Sequence, residues 1–434
     1  MSHDQESSRR RFLKRMAGAV VAGGAVSSVA RIAATAQVGT RRTFRVALIG
    51  CGGRGKGALK DHQNAVKYLN EKLGWSLETE VVALADWFAS KAEGAADAFG
   101  VPKERCLAGA NAYTKAIDAG PDLVLMAQPP AFRPLHFEAA IEAGKHVFFE
   151  KPSAVDPPGV RRVIAAGEKA KDKGLSVVAG TQRRHEEPRN RMVREIREGA
   201  RGRIMGGRVA WNAWHFFNKG PVNPQSVDDF VGSWKVWVEL SGDHICEQHV
   251  HNLDIANWYL DAHPISAAGF GGRARRPAGN MYDFFSVDLE YPQGVHIHSM
   301  CRQVTGCWRW VGESFAFEKE PAEGFQPQSP DPYAEVGYHK ASMVSEHAHL
   351  LHAIVKEKPI NEARNVAWAT GAAIIGRESA YSGERITWEE MFENPTTKPE
   401  FYNIQLKPTA EDFETGDVTI PKEGEIRIPG VVAT

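Results

Sequence analysis

The sequence predicts an α/β protein of two domains, in which a parallel-sheet domain precedes an α+β domain with a large open, mostly antiparallel sheet. In the first part of the chain, short apolar strand segments alternate with helical segments, which is typical of parallel sheets. A glycine-rich loop directly follows the first of these strands. From residue 174 onward, strand segments follow one another with hairpin signals such as Pro292-Gln293-Gly294 between them, which favours antiparallel pairing.

Length and charge limit the classes of function. The 434 residues are enough for two domains with a sizeable core in each. Lys plus Arg and Asp plus Glu both number 53, so the formal net charge is zero. Binding to a phosphate backbone needs a basic excess, so no nucleic acid is expected as a partner. A neutral chain also has no electrostatic attraction to an anionic membrane.

The cysteines do not form a recognisable framework. Their number is odd and no CxxC pair occurs, so neither a disulfide scaffold nor a zinc ribbon is expected. Cys301 and Cys307 could pair, but buried free thiols are the expectation for all five.

The first 36 residues predict an export signal rather than part of the fold. Residues 8–14, with the sequence Ser-Arg-Arg-Arg-Phe-Leu-Lys, match the twin-arginine pattern, and a small-residue apolar run covers residues 16–30. This run is too short and too rich in Gly and Ala for a membrane span, and residues 34–36 fit a cleavage site. The alternative is a basic, disordered arm. We therefore expect a periplasmic or otherwise extracytoplasmic protein that meets the twin-arginine translocase during export.

The glycine-rich loop predicts a dinucleotide-binding Rossmann domain. Residues 44–49 form an apolar strand, and residues 50–55 follow in GxGxxG register. Gly50 permits the tight turn, Gly52 lets the backbone approach a pyrophosphate, and Gly55 allows the helix to pack closely on the strand. With Gly53 and Arg54, these residues are the predicted phosphate-binding loop. The alternative is a glycine-rich turn that binds no ligand.

Asp86 ends the second predicted strand, at residues 80–85. An acidic side chain there can accept hydrogen bonds from both hydroxyls of the adenine ribose and would repel a 2′-phosphate, so it favours NAD over NADP. Asp86 lies 36 residues after Gly50, whereas about 20 is usual, so an extended helix and loop are expected between them.

Lys151 follows the apolar strand at residues 145–149. Pro152 disfavours a helical backbone at Lys151, so an extended conformation is expected there. The carboxyl ends of parallel strands meet at the edge where ligands bind, and a preceding strand ends there with Gln128 and Pro129. Lys151 is therefore predicted to lie over the cleft as a cationic hydrogen-bond donor. The alternative is a solvated loop lysine.

These segments resemble the glucose–fructose oxidoreductase/inositol dehydrogenase (Gfo/Idh/MocA) family. The resemblance rests on residues 46–55, Asp86, residues 128–130, His136 and residues 144–152, and it extends from about Phe44 to about Glu390. The Glu-Lys-Pro element at residues 150–152 is its most specific part. The cofactor-binding set predicted from the loop and from this resemblance comprises Gly50, Gly52, Gly53, Arg54, Gly55, Asp86, Gln128, Pro129, His136, Glu150 and Lys151.

A second polar constellation lies at residues 243–254, which predict a helix that continues to Leu260. His244, Glu247, His251 and Asp254 are spaced by 3, 4 and 3 residues, so an uninterrupted α-helix would place them on one face. A carboxylate four residues before a histidine can orient the imidazole and fix its tautomer.

The resemblance implies that Lys151, Glu247 and His251 form the catalytic cluster. The family has an aspartate four residues before the histidine, so Glu247 is a conservative departure from its pattern. Two alternatives remain open. His244, Glu247 and His251 could bind a divalent metal, which the hydride chemistry of the family does not require. The polar face could also be a structural network at a domain junction.

Further residues are candidates for binding a sugar. Arg183, Arg184 and His185 follow a predicted strand and could contact hydroxyls or carboxylates, although a surface role at a helix start is the alternative. His244 and one or two of several tryptophans, of which Trp214 is the candidate, complete the predicted substrate site. The alternative for a tryptophan is partial burial in the core, which is the more usual position of this residue.

Together these observations predict an NAD(P)-dependent oxidoreductase that transfers hydride between the nicotinamide and a sugar, polyol or glycoside. His251 would accept the hydroxyl proton and Lys151 would stabilise the developing alkoxide. An alternative is a glycoside hydrolase or lyase that keeps its NAD and oxidises the sugar transiently. A non-catalytic sugar or nucleotide sensor is the third hypothesis.

The predicted domains follow from these segments. They are a signal at residues 1–36, a Rossmann domain at 37–173, a substrate-binding and oligomerisation domain at 174–391, and an extension at 392–434. The resemblance implies a homodimer or homotetramer, because the free face of the second sheet often makes subunit contacts in the family.

Overall fold

A computed structural model describes residues 40–214, 222–394 and 406–430 of the chain. The predicted export signal at residues 1–36 lies outside them. None of the helices in the described ranges is long and apolar enough to cross a membrane. The five cysteines carry free thiols.

The first described sheet is parallel and has six strands in the order β3-β2-β1-β4-β5-β6, which confirms the predicted Rossmann topology. The strands are β1 (Arg41–Ile49), β2 (Ser76–Asp86), β3 (Cys106–Ala108), β4 (Leu123–Met126), β5 (His146–Phe149) and β6 (Val177–Ala179). Because β6 pairs with β5, this sheet extends beyond the boundary predicted at residue 173, as far as Ala179.

Both faces of this sheet are covered by helices, so its strands are apolar on both sides. Alternate residues of β1 show the division, since Leu48 joins one core cluster and Ala47 joins the other. On the Leu48 side pack α1 (Gly53–Leu73) and α10 (Ser342–Val355), and on the other side pack α4 (Arg133–Glu142) and α5 (Pro157–Asp172). The helices α2 (Ala89–Phe99) and α3 (Ala112–Asp118) complete the cover of the sheet, α2 on the Leu48 side and α3 on the other.

The second described sheet also has six strands, in the order β11-β7-β10-β9-β8-β12. Only the β10–β7 pairing within it is parallel, so the predicted mostly antiparallel sheet is confirmed. The strands are β7 (Ile204–Ala213), β8 (Ser266–Gly272), β9 (Phe284–Tyr291), β10 (Val295–Gln303), β11 (Trp310–Phe317) and β12 (Ile386–Thr387). The hairpin predicted at residues 292–294 joins β9 to β10, with Gln293 and Gly294 at positive φ.

Helices cover one face of the second sheet. They include α6 (Glu187–Arg197), α9 (Val250–Leu260) and α11 (Ala363–Ser382). Most of α11 is buried, because it packs against α5 of the first domain as well as α9 and β8. On the opposite face Phe270 is 66 % exposed, and Trp308, in the turn before β11, is 65 % exposed.

The segment predicted as one helix at residues 243–260 is helical from His244 to Leu260, but its first turn is π-helical, so the α-helical register assumed for it is wrong. After the short helices α7 (Val227–Gly232) and α8 (Val238–Ser241), Asp243 adopts a positive φ of 72°. A π-helical segment, Ile245–His249, then leads into α9. Because a π-helix bonds residue i to residue i+5, it rotates the residues that follow it away from the α-helical register.

The described part of the C-terminal extension packs on its own chain. Its only helix in the described range, α12 (Ala410–Thr415), starts with a capping box formed by Thr409 and Asp412. Phe413 joins a cluster of buried aromatic and aliphatic residues next to the first sheet. The described residues of the extension thus contact the chain's own domains.

Candidate functional site

The glycine-rich loop connects β1 to α1 as the sequence predicts. Gly50 has a φ of +89°, and a Cβ there would lie 2.3 Å from the backbone nitrogen of Gln128. A Cβ on Gly55 would lie 1.7 Å from the carbonyl oxygen of Gly50, so only glycine allows the helix to approach the strand this closely. Gly52 and Gly53 face open space on the cavity side. The loop can therefore receive a pyrophosphate against its backbone.

Asp86 lies at the carboxyl end of β2, beside this loop. Its Oδ2 accepts the backbone N–H of Cys51 at 2.7 Å, and its Oδ1 accepts that of Phe88 at 3.0 Å. These bonds fix the carboxylate at the cavity wall, and each oxygen keeps a second acceptor position for a ribose hydroxyl.

A cavity of about 510 Å³ runs between the loop and the opposite wall of the cleft. Gln128, Pro129 and His136 line it, as do the loop and Asp86, so the structure brings most of the predicted cofactor set together. The side-chain oxygen and nitrogen of Gln128 are buried and have no hydrogen-bond partner among the described residues. Such an amide at a cavity wall fits a polar ligand. His136 stacks on Tyr113 at 3.9 Å between ring centroids, and burial lowers its pKa to about 3.

Glu150 supports the loop from beneath instead of lining the cavity. Its Oε1 lies 2.8 Å from Nε of Arg54, and the second branch of the Arg54 guanidinium contacts Asp61 Oδ2 at 2.6 Å. A Cβ on Gly180 would lie 2.5 Å from Glu150 Oε2, so the glycine that directly follows β6 leaves room for this carboxylate. The glutamate of the Glu-Lys-Pro element thus ties the phosphate-binding loop to the end of β5.

Lys151 and Glu247 meet across the junction of the two domains. The Lys151 ammonium donates a hydrogen bond to the backbone carbonyl of Glu247, and its nitrogen lies 3.6 Å from Glu247 Oε1. The other carboxylate oxygen, Oε2, is buried without a partner among the described residues. The longer glutamate side chain therefore still reaches the lysine from its place in the π-helical segment.

His251 lies next to this pair, stacked on Trp211 with 5.8 Å between ring centroids. Burial lowers the pKa of His251 well below its usual range, and the positive charges of Lys151 and Arg183 lower it further. The imidazole is therefore neutral near neutral pH, which is the form that accepts a proton. Its Nδ1 is buried with no partner in the described part of the chain.

The other predicted substrate residues make contacts of their own. His244 Nδ1 lies 3.0 Å from Asp243 Oδ1, and the ring packs on Phe285. The guanidinium of Arg184 forms a buried ion pair with Asp254, and both are almost fully buried. Because Asp254 pairs with Arg184 and His244 contacts Asp243, neither joins Glu247 and His251.

His185 and Trp214 also lie away from that cluster. His185 is fully buried, with Nδ1 2.8 Å from Nδ1 of His349 and Nε2 3.2 Å from Glu362 Oε1. Trp214 is 48 % exposed and carries the Arg309 guanidinium 4.3 Å from its ring centroid. Arg183 lies closer to the cluster. Its guanidinium pairs with Glu313, and its guanidinium carbon lies 6.0 Å from the ring centroid of Trp211, on which His251 stacks.

The sequence did not identify several residues of the cavity wall. Lys235 lines the cavity; burial lowers its pKa, and the charges of Glu247, Lys91 and Lys151 also act on it. Lys235 therefore lies near both the cavity and the Lys151–Glu247 pair. Phe413 and Glu414 of the C-terminal extension line the cavity as well. Neither segment carries a motif, so only the fold shows their position.

The described residues also bear on the metal alternative. Within residues 40–214, 222–394 and 406–430, no three His, Cys, Asp or Glu side chains converge in a way that could hold a metal ion. In particular, the side chain of His244 is directed to Asp243, apart from Glu247 and His251.

Comparison with known sequences identifies the family. The family model described as "Oxidoreductase family, NAD-binding Rossmann fold" matches residues 44–179, and that of the "GFO/IDH/MocA C-terminal domain" matches residues 190–312. The chain belongs to the Gfo/Idh/MocA family. The resemblance inferred from the glycine loop and the Glu-Lys-Pro element is thus confirmed, and with it a Rossmann domain that binds NAD(H).

Individual Gfo/Idh/MocA proteins show the same relationship. An inositol 2-dehydrogenase of Acidothermus cellulolyticus is 27 % identical over 244 residues, which cover 55 % of this chain and 60 % of that protein. The scyllo-inositol dehydrogenase of Lactobacillus casei, solved with NAD(H) and scyllo-inositol, has a TM-score of 0.57 and 16 % identity, covering 80 % of this chain and 99 % of that one. The aldose-aldose oxidoreductase of Caulobacter crescentus, solved with glycerol, has a TM-score of 0.58 and 18 % identity, covering 80 % and 100 %.

The structural similarities and the sequence similarities show different things. The solved structures establish the Gfo/Idh/MocA fold, and the sequence match spans about 60 % of the length of the Acidothermus relative. The relatives are named as oxidoreductases, so the comparisons do not favour the alternative of a glycoside hydrolase or lyase.

The electrostatics of His251 lead to a testable prediction. Since burial and the Lys151 ammonium disfavour the imidazolium, His251 should remain neutral well below pH 6.5, the ordinary midpoint for histidine. In Lys151→Met the pKa of His251 should rise, because one of the two nearby cations is removed. Histidine-selective NMR titration measures both values, with His251→Gln to assign the signal. A wild-type His251 that titrates near 6.5 would contradict the structure.

Proposed function

We propose that this protein oxidises a secondary hydroxyl of a sugar or polyol, with NAD as the hydride acceptor. The observation that carries the proposal is the cluster of Lys151, Glu247 and His251 beside the dinucleotide cavity. Two buried polar atoms of this cluster, Glu247 Oε2 and His251 Nδ1, have no partner among the described residues. A substrate with adjacent hydroxyl groups would satisfy both.

The residues of the cluster divide the work of oxidation between them. NAD, when bound, accepts the hydride from the carbinol carbon. The neutral His251 takes the hydroxyl proton, since its lowered pKa keeps the ring unprotonated. The Lys151 ammonium donates a hydrogen bond to the same oxygen and stabilises the negative charge that develops there. Glu247 fixes the ammonium through its carbonyl and carboxylate and accepts a hydrogen bond from a neighbouring hydroxyl.

Two considerations define the substrate and cofactor. The inositol and aldose enzymes among the relatives are named for polyhydroxylated compounds, and the polar cluster suits the same class. Asp86 supports NAD over NADP, because a carboxylate held by two backbone N–H groups at the cavity wall would repel a 2′-phosphate.

Substitution of the two central residues tests the proposal. Lys151→Ala and His251→Ala should each lower kcat by roughly 10²–10⁴ while the Kd for NADH changes little, because both lie outside the cavity wall. The measurements are initial rates with NAD⁺ or NADP⁺ and a panel of inositols and aldoses, together with NADH fluorescence titration.

Lys171→Ala is the matched control, since Lys171 is an exposed lysine at the end of α5. The Lys171→Ala variant should oxidise the substrate with the wild-type kcat. Wild-type rates in both Lys151→Ala and His251→Ala would refute the catalytic assignment. If no compound of the panel is oxidised by the wild type although it binds NADH, the sensor hypothesis replaces the proposal.

We also propose that residues 1–36 direct export through the twin-arginine translocase and that the protein crosses the membrane folded, with its dinucleotide bound. The paired arginines Arg9 and Arg10 support this route, and free NAD is not available outside the cytoplasm to reload the site. Arg9→Lys with Arg10→Lys should abolish export in a host with this pathway, and mass analysis of the exported wild type should detect NAD. Export of the double variant at the wild-type level would contradict the assignment.

A homodimer or homotetramer is proposed as the functional assembly. Phe270 and Trp308 are exposed on the face of the second sheet that no described helix covers and in the adjoining turn, where apolar side chains favour burial against another subunit. Phe270→Glu should therefore reduce the mass measured by light scattering to that of a monomer. A wild type that is already monomeric at micromolar concentration would overturn this proposal.

A further inference from the structure

The C-terminal extension spans the two domains of the protein. At one end, α12 is fixed to the first domain, where Glu411 pairs with Arg162 of α5 and Glu414 Oε1 accepts the hydroxyl of Tyr113 at 2.7 Å. Further along the chain, Arg427 Nη1 lies 2.7 Å from Glu378 Oε2 in α11 of the second domain. Between these anchors, Val418 and Ile420 pack against the cluster that contains Phe230 and Trp237, and Glu423 accepts the backbone N–H of Gly279 at 2.7 Å.

Three residues of α12 form part of the cavity wall. Ala410, Phe413 and Glu414 line the cavity, whereas Glu411 on the same helix does not. Glu411 thus fixes α12 to the first domain without forming part of the cavity wall, whereas Glu414 does both, so substitution of Glu411 tests the support of the helix separately.

Phe413 belongs to an aromatic group at the Asp86 end of the cavity. Its ring centroid lies 4.9 Å from that of Phe132 and 5.6 Å from that of Trp87, which directly follows Asp86 in the chain. All three side chains line the cavity. A carboxylate at the end of β2 marks the adenine ribose, so aromatic rings immediately beside it mark the position of the base. Flat aromatic surfaces are suited to stacking on an adenine ring.

Glu414 supplies an acceptor at the same end. The hydrogen bond from Tyr113 holds its carboxylate against the wall, and Tyr113 is itself stacked on His136. A carboxylate has about four acceptor positions, so the bond to Tyr113 leaves capacity for a further donor. The 6-amino group of adenine and the ribose hydroxyls are donors of the required kind.

We propose that Phe413 and Glu414 bind the adenosine half of the dinucleotide, so that the C-terminal extension is part of the cofactor site. Phe413 contacts the base and Glu414 accepts a hydrogen bond from the base or its ribose. This inference rests on the proposed function only in requiring a dinucleotide in the cavity; it does not depend on Lys151, Glu247 or His251.

The two halves of the cofactor allow a sharp experiment. Phe413→Leu keeps an apolar side chain of similar volume but removes the aromatic face, and Glu414→Gln keeps the bond to Tyr113 but removes the charge. Each variant should bind NADH and AMP roughly tenfold more weakly, as expected for a lost stacking or charge-assisted contact. Affinity for nicotinamide mononucleotide should stay unchanged. Fluorescence titration of NADH and competition by the two mononucleotides give all three constants.

Glu411→Gln is the matched control, because it removes a carboxylate that fixes the same helix to Arg162 outside the cavity. It should bind all three ligands like the wild type. If Glu411→Gln weakens AMP as much as Glu414→Gln does, or if the variants weaken nicotinamide mononucleotide equally, the extension acts by general support and the inference is overturned. Wild-type affinity for AMP in both cavity variants would overturn it as well. A wild type that binds neither NADH nor AMP would instead refute the proposed function.

Discussion

The contact between Lys151 and Glu247 is the connection on which the site depends. It joins the end of a Rossmann strand to the π-helical segment of the second domain, and it is largely removed from solvent. A charge in such a place is costly unless it is well paired. The ammonium meets this requirement with a backbone carbonyl as well as a carboxylate, so its position is fixed even if the carboxylate turns toward a substrate.

The π-helical segment is in turn held by a buried polar network around Asp243. Asp243 Oδ2 accepts the backbone N–H of Tyr282 at 3.0 Å and the hydroxyl of Tyr381. The guanidinium of Arg377 donates to the carbonyls of Gly242 and Val155, at 2.9 and 2.8 Å. Val155 follows the Glu-Lys-Pro element closely, so a single buried guanidinium fixes the approach to both Lys151 and Glu247. Polar residues near this site thus serve two purposes, because the network of Asp243 and Arg377 supports the backbone, whereas Lys151, Glu247 and His251 form the proposed catalytic cluster.

The sequence predicted those parts of the molecule whose physical cause is local. The β1 strand, the glycine loop and Asp86 were placed correctly because strand burial and the steric demands of Gly50 and Gly55 are visible over a few residues. It missed β3 and β12, which are too short to show a period. It also missed the π-helical segment, because its register is set by the contacts of Asp243 with distant residues. Arg184 and His185 could not be told from ligand-binding residues, since their partners, Asp254, His349 and Glu362, lie 70 to more than 170 positions away.

The packing of α10 on the first sheet means that the Rossmann domain is not one continuous stretch of the chain. Ala348 and Leu351 of this helix cover Leu48 and Phe148, although they follow the entire second sheet except β12 in the chain. The Rossmann domain is therefore discontinuous: its apolar face is completed by a segment encoded some 160 codons after its last strand. A nucleotide-binding domain transplanted from this protein, or exchanged by recombination at residue 180, would lack that cover.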